Sequence, residues 1–229
     1  MPNSDLSGDQ ALSALRALGD TSRAAAQAAY HKSRRLHLGV SNGDIDRLVK
    51  GWRGTLDMSG RVSLADALWR SDIHEARIAA GKLLTQARIP DDGQVWALIT
   101  SWVPDFDAWA IADHSASAGA RRLTAHPERL DEVGRWTTDP NLWTRRAALV
   151  FTLPWSKGRH PSAADLAHRE RILGWAAGYV PDHEWFIQKA VAWWLRSLSK
   201  RDPERVRAFL AEYGNGMKAF ARKEAEKYL

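Results

Sequence analysis

DAWAIADHSAS, residues 107–117, places one acid inside an alanine-rich segment that predicts a buried helix. Trp109 and Asp113 stand four residues apart, so on a helix they share a face, one turn from each other. Aspartate is a poor residue for a helix interior, because its short carboxylate competes for nearby backbone groups. The position of Asp113 beside a tryptophan therefore marks a candidate site.

The pairing of a large apolar residue with a charged residue four positions later recurs along the chain. The pairs are Ile73 with Arg77, Trp109 with Asp113, Leu142 with Arg146, and Trp185 with Lys189. Their charged positions are 36, 33 and 43 residues apart, and a fifth unit is expected at Arg222 or Lys223. Periods in this range within helical patterns predict an all-α, HEAT-like α-solenoid of about five to six antiparallel helix pairs.

The repeat predicts a basic concave groove with one acid near its middle, since three units place a cation where the unit of Trp109 places Asp113. An alternative is that Asp113 only forms a salt bridge with an arginine of a neighbouring unit. Both interpretations follow from the spacing.

Almost every segment after the first ten residues has helical periodicity. We predict a disordered segment over residues 1–10 and a single domain over residues 11–229. Helix starts are predicted at three capping boxes and at one proline-led turn: Ser63 with Asp66, Ser162 with Asp165, Asp72 with Glu75, and Asp139 before Pro140.

Composition excludes several classes of site. The chain of 229 residues has no cysteine, which excludes disulfides and thiolate chemistry, and it carries twelve tryptophans and a net charge of +6. A basic chain favours a polyanionic partner. No metal-binding motif, phosphate-binding loop or serine elbow occurs, so we expect no metal and no nucleotide cofactor. The first residues lack the pattern of a signal peptide and no long apolar run occurs, so we expect a cytoplasmic protein that does not enter membranes.

Four stretches carry a family resemblance. NLWTRRAALVFTLP (141–154), FIQKAVAWWLRSLSKRDPERVRAFL (186–210), the terminal RKEAEKYL (222–229) and AYHKSRRLHLGV (29–40) resemble the AlkD family of DNA alkylation repair glycosylases. The resemblance covers residues 12–229. It implies a monofunctional glycosylase of base excision repair that removes cationic N3- and N7-alkylated purines, such as 3-methyladenine and 7-methylguanine, from duplex DNA. It also implies that the flipped base is not held in a deep pocket. We expect the protein to be a monomer.

The resemblance also implies roles for individual residues. WAIAD supplies the family's tryptophan and catalytic aspartate as Trp109 and Asp113, the RR pair its DNA-contacting arginine as Arg146, and QKA-x-x-W its second aromatic as Trp193. One departure is that Ala110, Ile111 and Ala112 stand where the family often has a further acid or aromatic. We add Arg77, Lys189, Tyr30 and Lys32 as expected contacts to DNA.

These residues also have purely structural interpretations. Trp109 is also compatible with a core position, and either Trp193 or Trp194 must face inward. Tyr30 and Lys32 either contact phosphate or cap the N-terminal helices. The family also includes relatives that bind unusual DNA without cutting it, so a non-catalytic HEAT-like DNA-binding protein is the alternative function.

Overall fold

The computed structural model describes residues 6–229, which form α-helices joined by short turns. Their bounds are α1 (Gly8–Ala17), α2 (Thr21–His31), α3 (Asn42–Thr55), α4 (Met58–Arg70), α5 (His74–Leu84), α6 (Gly93–Ser101), α7 (Trp109–Ala125), α8 (Leu130–Arg135), α9 (Leu142–Phe151), α10 (Leu153–Lys157), α11 (Ala163–Gly178), α12 (Trp185–Ser199), α13 (Pro203–Tyr213) and α14 (Ala219–Ala225). Over residues 6–229 the β-structure is limited to an isolated bridge between Leu36 and Ile73. The predicted all-α class is confirmed.

The described residues form two compact units that divide between Arg122 and Leu123. In the first unit α5 packs against α3 and α4, around fully buried side chains that include Leu68, Leu83 and Trp102. In the second unit α12 packs against α9, α10, α13 and α14, and Trp194 and Phe209 lie in its core. The prediction of a single domain over residues 11–229 stays a prediction, as does the basic groove.

The predicted disordered segment differs from the structure where the two overlap. Residues 1–5 lie outside the described residues. Helix α1 begins at Gly8, with the hydroxyl of Ser7 accepting from the backbone N–H of Gln10 and the Gln10 side chain accepting from the N–H of Ser7. This capping box satisfies two of the helix's free backbone donors, so residues 8–10 are helical.

The repeat register matches the helix starts. Ile73 is the N-cap of α5, and Trp109, Leu142 and Trp185 are the first residues of α7, α9 and α12. The charged partner of each pair therefore lies in the second turn of its helix. Helix α14 begins at Ala219, four residues before Lys223. The spacing thus predicts equivalent positions in five helices.

One of the predicted capping boxes is present, and the others are wrong. Ser162 and Asp165 form a reciprocal box at the start of α11. Ser63 instead lies inside α4, because Asp57 caps that helix six residues before the cap predicted at Ser63. Helix α9 begins after Asn141, whose side chain accepts from the N–H of Trp143.

The predicted Asp72–Glu75 box is absent because both acids have other partners. Asp72 has a left-handed backbone, with φ of 58°, and pairs with Arg77 at 3.0 Å. The buried Glu75 carboxylate accepts from the backbone N–H groups of Leu38 and Gly39 at 2.7–3.1 Å. Glu75 therefore ties the segment between α2 and α3 to the start of α5.

Candidate functional site

Helix α7 presents Trp109 and Asp113 on one side and buries the residues between them. Both side chains are partly exposed, whereas Ala110, Ile111 and Ala112 are 4%, 0% and 1% exposed. The three small or aliphatic residues therefore form core rather than a surface beside the acid. An additional acid or aromatic at those positions would enter the core of the first unit.

The turn before α7 is held by an ion-pair network. Arg35 pairs with Asp107 at 2.9 Å and donates to the backbone carbonyl of Asp105 at 2.9 Å. Asp107 also accepts from the hydroxyl of Ser33 at 2.9 Å. Trp109 follows two residues after Asp107, so this network fixes where the first turn of α7 begins.

Arg77 belongs to the same network, which argues against its predicted contact with phosphate. The residue is 6% exposed, and its guanidinium lies 4.3 Å from the centre of the Trp69 ring. It donates to the Trp69 carbonyl at 3.2 Å and pairs with Asp72 at 3.0 Å and Asp105 at 3.8 Å. Burial lowers the pKa of Arg77 to about 10. Its donors serve protein acceptors, so Arg77 positions the turn before α7.

An aromatic wall flanks Trp109. The Tyr30 ring meets the Trp109 ring edge-on, with centroids 6.3 Å apart, and the His31 ring lies 5.3 Å away. Tyr30 is 71% exposed. Lys32 ends α2 in a left-handed conformation and is exposed. These positions are compatible with the predicted DNA contacts of Tyr30 and Lys32, which stay predictions.

His31 also belongs to a cluster of three imidazoles that was not predicted from the sequence. His31, His37 and His74 have ring centroids 4.3–6.1 Å apart. Burial, followed by the neighbouring histidines, lowers the pKa of His74 to about 3. Burial also lowers the pKa of His31. His74 is therefore uncharged at neutral pH and packs as an aromatic ring. No group of three or more His, Asp or Glu over residues 6–229 is arranged to hold a metal ion.

In the second unit both members of the RR pair are engaged with protein groups. Arg145 pairs with Asp182 at 3.1 Å and donates to the carbonyls of Asp139 and Pro140. Arg146 is 5% exposed and donates to the carbonyl of Phe186 at 2.9 Å. The predicted contact of Arg146 with DNA is not visible in this geometry and stays a prediction.

The exposed side of α12 carries an aromatic and basic stripe of Trp185, Lys189 and Trp193, here called the α12 stripe. Lys189 is exposed, Trp193 is partly exposed and Trp194 is fully buried, so Trp193 is the accessible member of the WW pair. The Lys157 ammonium lies 5.8 Å from the centre of the Trp193 ring. Trp185, which is not among the predicted site residues, is 50% exposed and stacks on Phe220 at 3.8 Å.

The glutamine of the QKA motif is structural. Gln188 is fully buried, and its side-chain N–H donates to the carbonyls of Val180 and Asp182 at 3.1 and 2.9 Å. Its side-chain oxygen accepts from the backbone N–H of Lys218 at 3.0 Å. Gln188 therefore fixes the turn before α12 and the start of α14 relative to the α12 stripe.

The described residues form an all-helical protein with an acid one turn from Trp109 on α7 and a basic aromatic stripe on α12. A family model described as DNA alkylation repair enzyme matches residues 11–229. The chain belongs to this family, which supports a role in the repair of alkylated DNA. No curated protein matches the chain.

Solved structures share the fold at low sequence identity. A predicted DNA alkylation repair enzyme from Enterococcus faecalis is 21% identical, with a TM-score of 0.76 over 92% of this chain and 96% of that one. The smu.31 protein of Streptococcus mutans UA159 is 20% identical, with a TM-score of 0.62 over 82% and 92%. AlkD2 from Streptococcus mutans is 19% identical, with a TM-score of 0.60 over 82% and 90%. These likenesses establish the AlkD-like helical fold.

The helices over residues 6–229 include none with the length and apolar character needed to cross a membrane.

Proposed function

We propose that the protein is a monofunctional DNA glycosylase that hydrolyses the N-glycosidic bond of N3- and N7-alkylated purines in duplex DNA. The observation that carries the proposal is the pair Trp109 and Asp113, which share the accessible side of α7 while the residues between them are buried. A partly exposed acid one turn from a tryptophan, on a chain of net charge +6, suits a DNA substrate that is anionic overall and becomes cationic at one sugar.

The chemistry begins with a good leaving group, because alkylation at N3 or N7 makes the purine cationic. The C1′–N bond breaks with its electron pair passing to the base, and positive charge develops on the sugar. A carboxylate beside C1′ attracts this charge more strongly in the transition state than in the ground state, which lowers the barrier. The water oxygen then bonds to C1′, and Asp113 accepts the proton that this water loses.

The aromatic groups have a separate task in this proposal. The face of a tryptophan ring attracts a cation, so Trp109 supports the developing oxocarbenium charge from the side. Tyr30, 6.3 Å from Trp109 between ring centroids, widens this surface. Trp193 and Lys189 on the α12 stripe supply a further ring and a cation for the sugar-phosphate backbone. The base is not read by a deep pocket, so cationic purines are preferred over neutral lesions.

The proposal includes the state and location of the protein. It acts as a monomer in the cytoplasm, on duplex DNA, without a metal or nucleotide cofactor. The exposed Lys32 is proposed to contact a phosphate. Arg146 is proposed to do so after giving up its bond to the Phe186 carbonyl, because it is 5% exposed in this structure. Phosphate contacts position the duplex and carry no sequence information.

The test is base release from methylated duplex DNA by the wild type and by Asp113→Asn. The substitution keeps the shape of the side chain and removes its charge. We expect release of 7-methylguanine to fall at least tenfold, about 1.4 kcal/mol of transition-state stabilisation, while affinity for duplex DNA stays equal or rises. Asp66→Asn, which removes an acid that pairs with Arg70 on α4, is the control and should leave release unchanged.

Two results would refute the proposal. Full activity of Asp113→Asn on cationic lesions would make the carboxylate structural. Absence of base release by the wild type, with duplex binding retained, would favour the non-catalytic DNA-binding alternative. Uracil in the same duplex should remain in place, because its departure lacks the initial positive charge.

A further inference from the structure

A basic cavity lies in the first unit between α3, α5 and α7. Its volume is about 360 Å³, and it is lined by Asp46, Val49, Lys50, Arg53, Lys82, Thr85, His114 and Ser117. This volume is at the lower end of the range of roughly 300–1,000 Å³ found for ligand sites. None of these residues belongs to the predicted set of catalytic and DNA-binding residues.

The charges of the cavity favour an anion. Three cations, Lys50, Arg53 and Lys82, face one acid, Asp46. Within the part of the chain that the structure describes, Lys50 and Arg53 have no ion-pair partner. The cavity therefore has two cations in excess, and its walls are helices with fixed backbones.

Lys82 is held at the cavity by its acid partner. Its ammonium lies 2.6 Å from the Asp46 carboxylate, and the Lys82 side chain is 16% exposed against 62% for Asp46. The lysine is thus fixed in the wall, whereas the acid lies at the solvent side. A phosphate oxygen can replace the Asp46 carboxylate at the ammonium, because the exposed Asp46 side chain has room to turn into water.

His114 supplies a neutral donor to the same cavity. Burial, followed by the charge of Lys82, lowers the pKa of His114 to about 4. The imidazole is therefore uncharged at neutral pH and carries one N–H, which can donate to an oxygen anion.

The cavity borders the proposed catalytic face of α7. Ser117, which lines the cavity, stands four residues after Asp113 and donates its hydroxyl to the Asp113 carbonyl at 3.0 Å. Asp113 and Ser117 therefore share one side of the helix, one turn apart. An anion bound in the cavity lies next to the site where the lesion's sugar is proposed to react.

We propose that this cavity binds a phosphodiester of the DNA backbone close to the lesion, with Lys82 and Lys50 contacting its oxygens and Asp46 displaced. The proposal rests on the proposed function, since it places the DNA on the Asp113 side of α7. A phosphodiester fits because the lining offers the cations Lys50, Arg53 and Lys82 for its oxygens. Binding of this phosphodiester would hold the lesion's sugar next to Asp113, one turn from Ser117 along the axis of α7.

The experiment measures affinity for an unmodified duplex as salt rises, so it does not depend on base release. The proteins are the wild type, Lys82→Ala, Asp46→Asn and a matched control, Arg47→Ala. Arg47 lies on α3 outside the cavity lining and pairs with Asp44. A lost phosphate contact lowers the slope of log affinity against log salt by about 0.9.

We expect Lys82→Ala to lower the slope by about 0.9, Asp46→Asn to raise the affinity at least threefold, and Arg47→Ala to leave both close to wild type. The increase in Asp46→Asn cannot come from misfolding, so the proposal remains testable if Lys82→Ala is destabilised. Equal slopes for Lys82→Ala and Arg47→Ala, together with unchanged affinity of Asp46→Asn, would overturn the proposal.

A second arm separates the DNA backbone from free phosphate. Inorganic phosphate is compared with chloride at equal ionic strength, in the presence and absence of DNA. Binding of inorganic phosphate that is lost in Lys82→Ala, without any difference in the DNA slopes, would assign the cavity to free phosphate and contradict the proposal. The protein could show the expected salt dependence of DNA affinity and yet release no base. That result would support phosphodiester binding in the cavity and refute the proposed glycosylase function.

Discussion

Gly81 is a point of close approach between α5 and the segment that carries Asp113. A Cβ atom placed on Gly81 would lie 3.0 Å from the carbonyl carbon of His114, 3.0 Å from the backbone nitrogen of Ser115 and 3.1 Å from the His114 oxygen. All three are backbone atoms of α7, directly after Asp113. They cannot move aside by rotating a side chain, so Gly81→Ala must push the two helices apart.

The magnitude follows from these distances. Carbon atoms in ordinary contact are about 3.5–4.0 Å apart, so the backbones must separate by roughly 0.5 Å. Overpacking of this kind costs about 1–3 kcal/mol, against a gain of about 1 kcal/mol from replacing glycine by alanine within a helix. Since a misplacement of about 1 Å can cost on the order of 10²-fold in rate, a shift of half that size should slow base release by about tenfold.

The assay combines urea unfolding with single-turnover base release, and Gly51→Ala is the matched control. Gly51 lies within α3, and a Cβ placed on it meets nothing within 4 Å. We expect Gly51→Ala to be about 1 kcal/mol more stable than the wild type, with unchanged base release. If Gly81→Ala gained the same stability and kept the wild-type rate, the close approach of α5 and α7 would have no part in placing Asp113.

Two further predictions concern stability. Burial lowers the pKa of His74 from 6.5 to about 3, so the unfolded chain binds a proton below pH 6.5 that the folded protein does not, and the free energy of unfolding falls as the pH falls. His74→Gln should remove roughly 1.5 kcal/mol of the stability that urea unfolding shows to be lost between pH 6.5 and 5. A variant that loses as much stability as the wild type over this range would contradict the prediction. Arg122 forms a pair with Asp92 at 3.3 Å in which both side chains are 1% exposed. Arg122→Met should therefore lower the free energy of unfolding in urea by about 3–5 kcal/mol. The same substitution at the exposed Arg121 should change it by no more than roughly 0.5 kcal/mol. Equal effects at both positions would show that the buried pair adds no stability.

The start of each repeated helix was predictable from sequence, because it depends on local chemistry. An apolar residue that opens a helix and a charged residue one turn later recur at the starts of α5, α7, α9 and α12. The capping box of Ser162 and Asp165 is equally local. The wrong boxes failed where an earlier cap, such as Asp57, begins the helix first, or where an acid is taken by a distant partner, as Glu75 is by Leu38 and Gly39.

Exposure at the repeated charged position could not be predicted in the same way. Arg77 and Arg146 are buried, whereas Lys189 is exposed, although all three occupy the same place in their helices. A guanidinium can reach several backbone carbonyls at once and so be satisfied within the protein. Arg77 has Trp69, Asp72 and Asp105 around it. Packing brings these groups together, and the spacing of Arg77 from the other repeated positions carries no information about that packing.

The sequence by itself determined the all-helical class, the repeat register, the family and the pairing of Trp109 with Asp113, because each is written in residue types a few positions apart or in recurring motifs. Only the tertiary structure decided that Arg77 supports a turn, that His31, His37 and His74 stack together, and that Lys50, Arg53 and Lys82 line one cavity. Each of these clusters includes a side chain from a segment far from the others in the chain, as His74 is from His31 and Lys82 is from Lys50. Their energies depend on distance and burial in three dimensions, and neither quantity is fixed until the helices have packed.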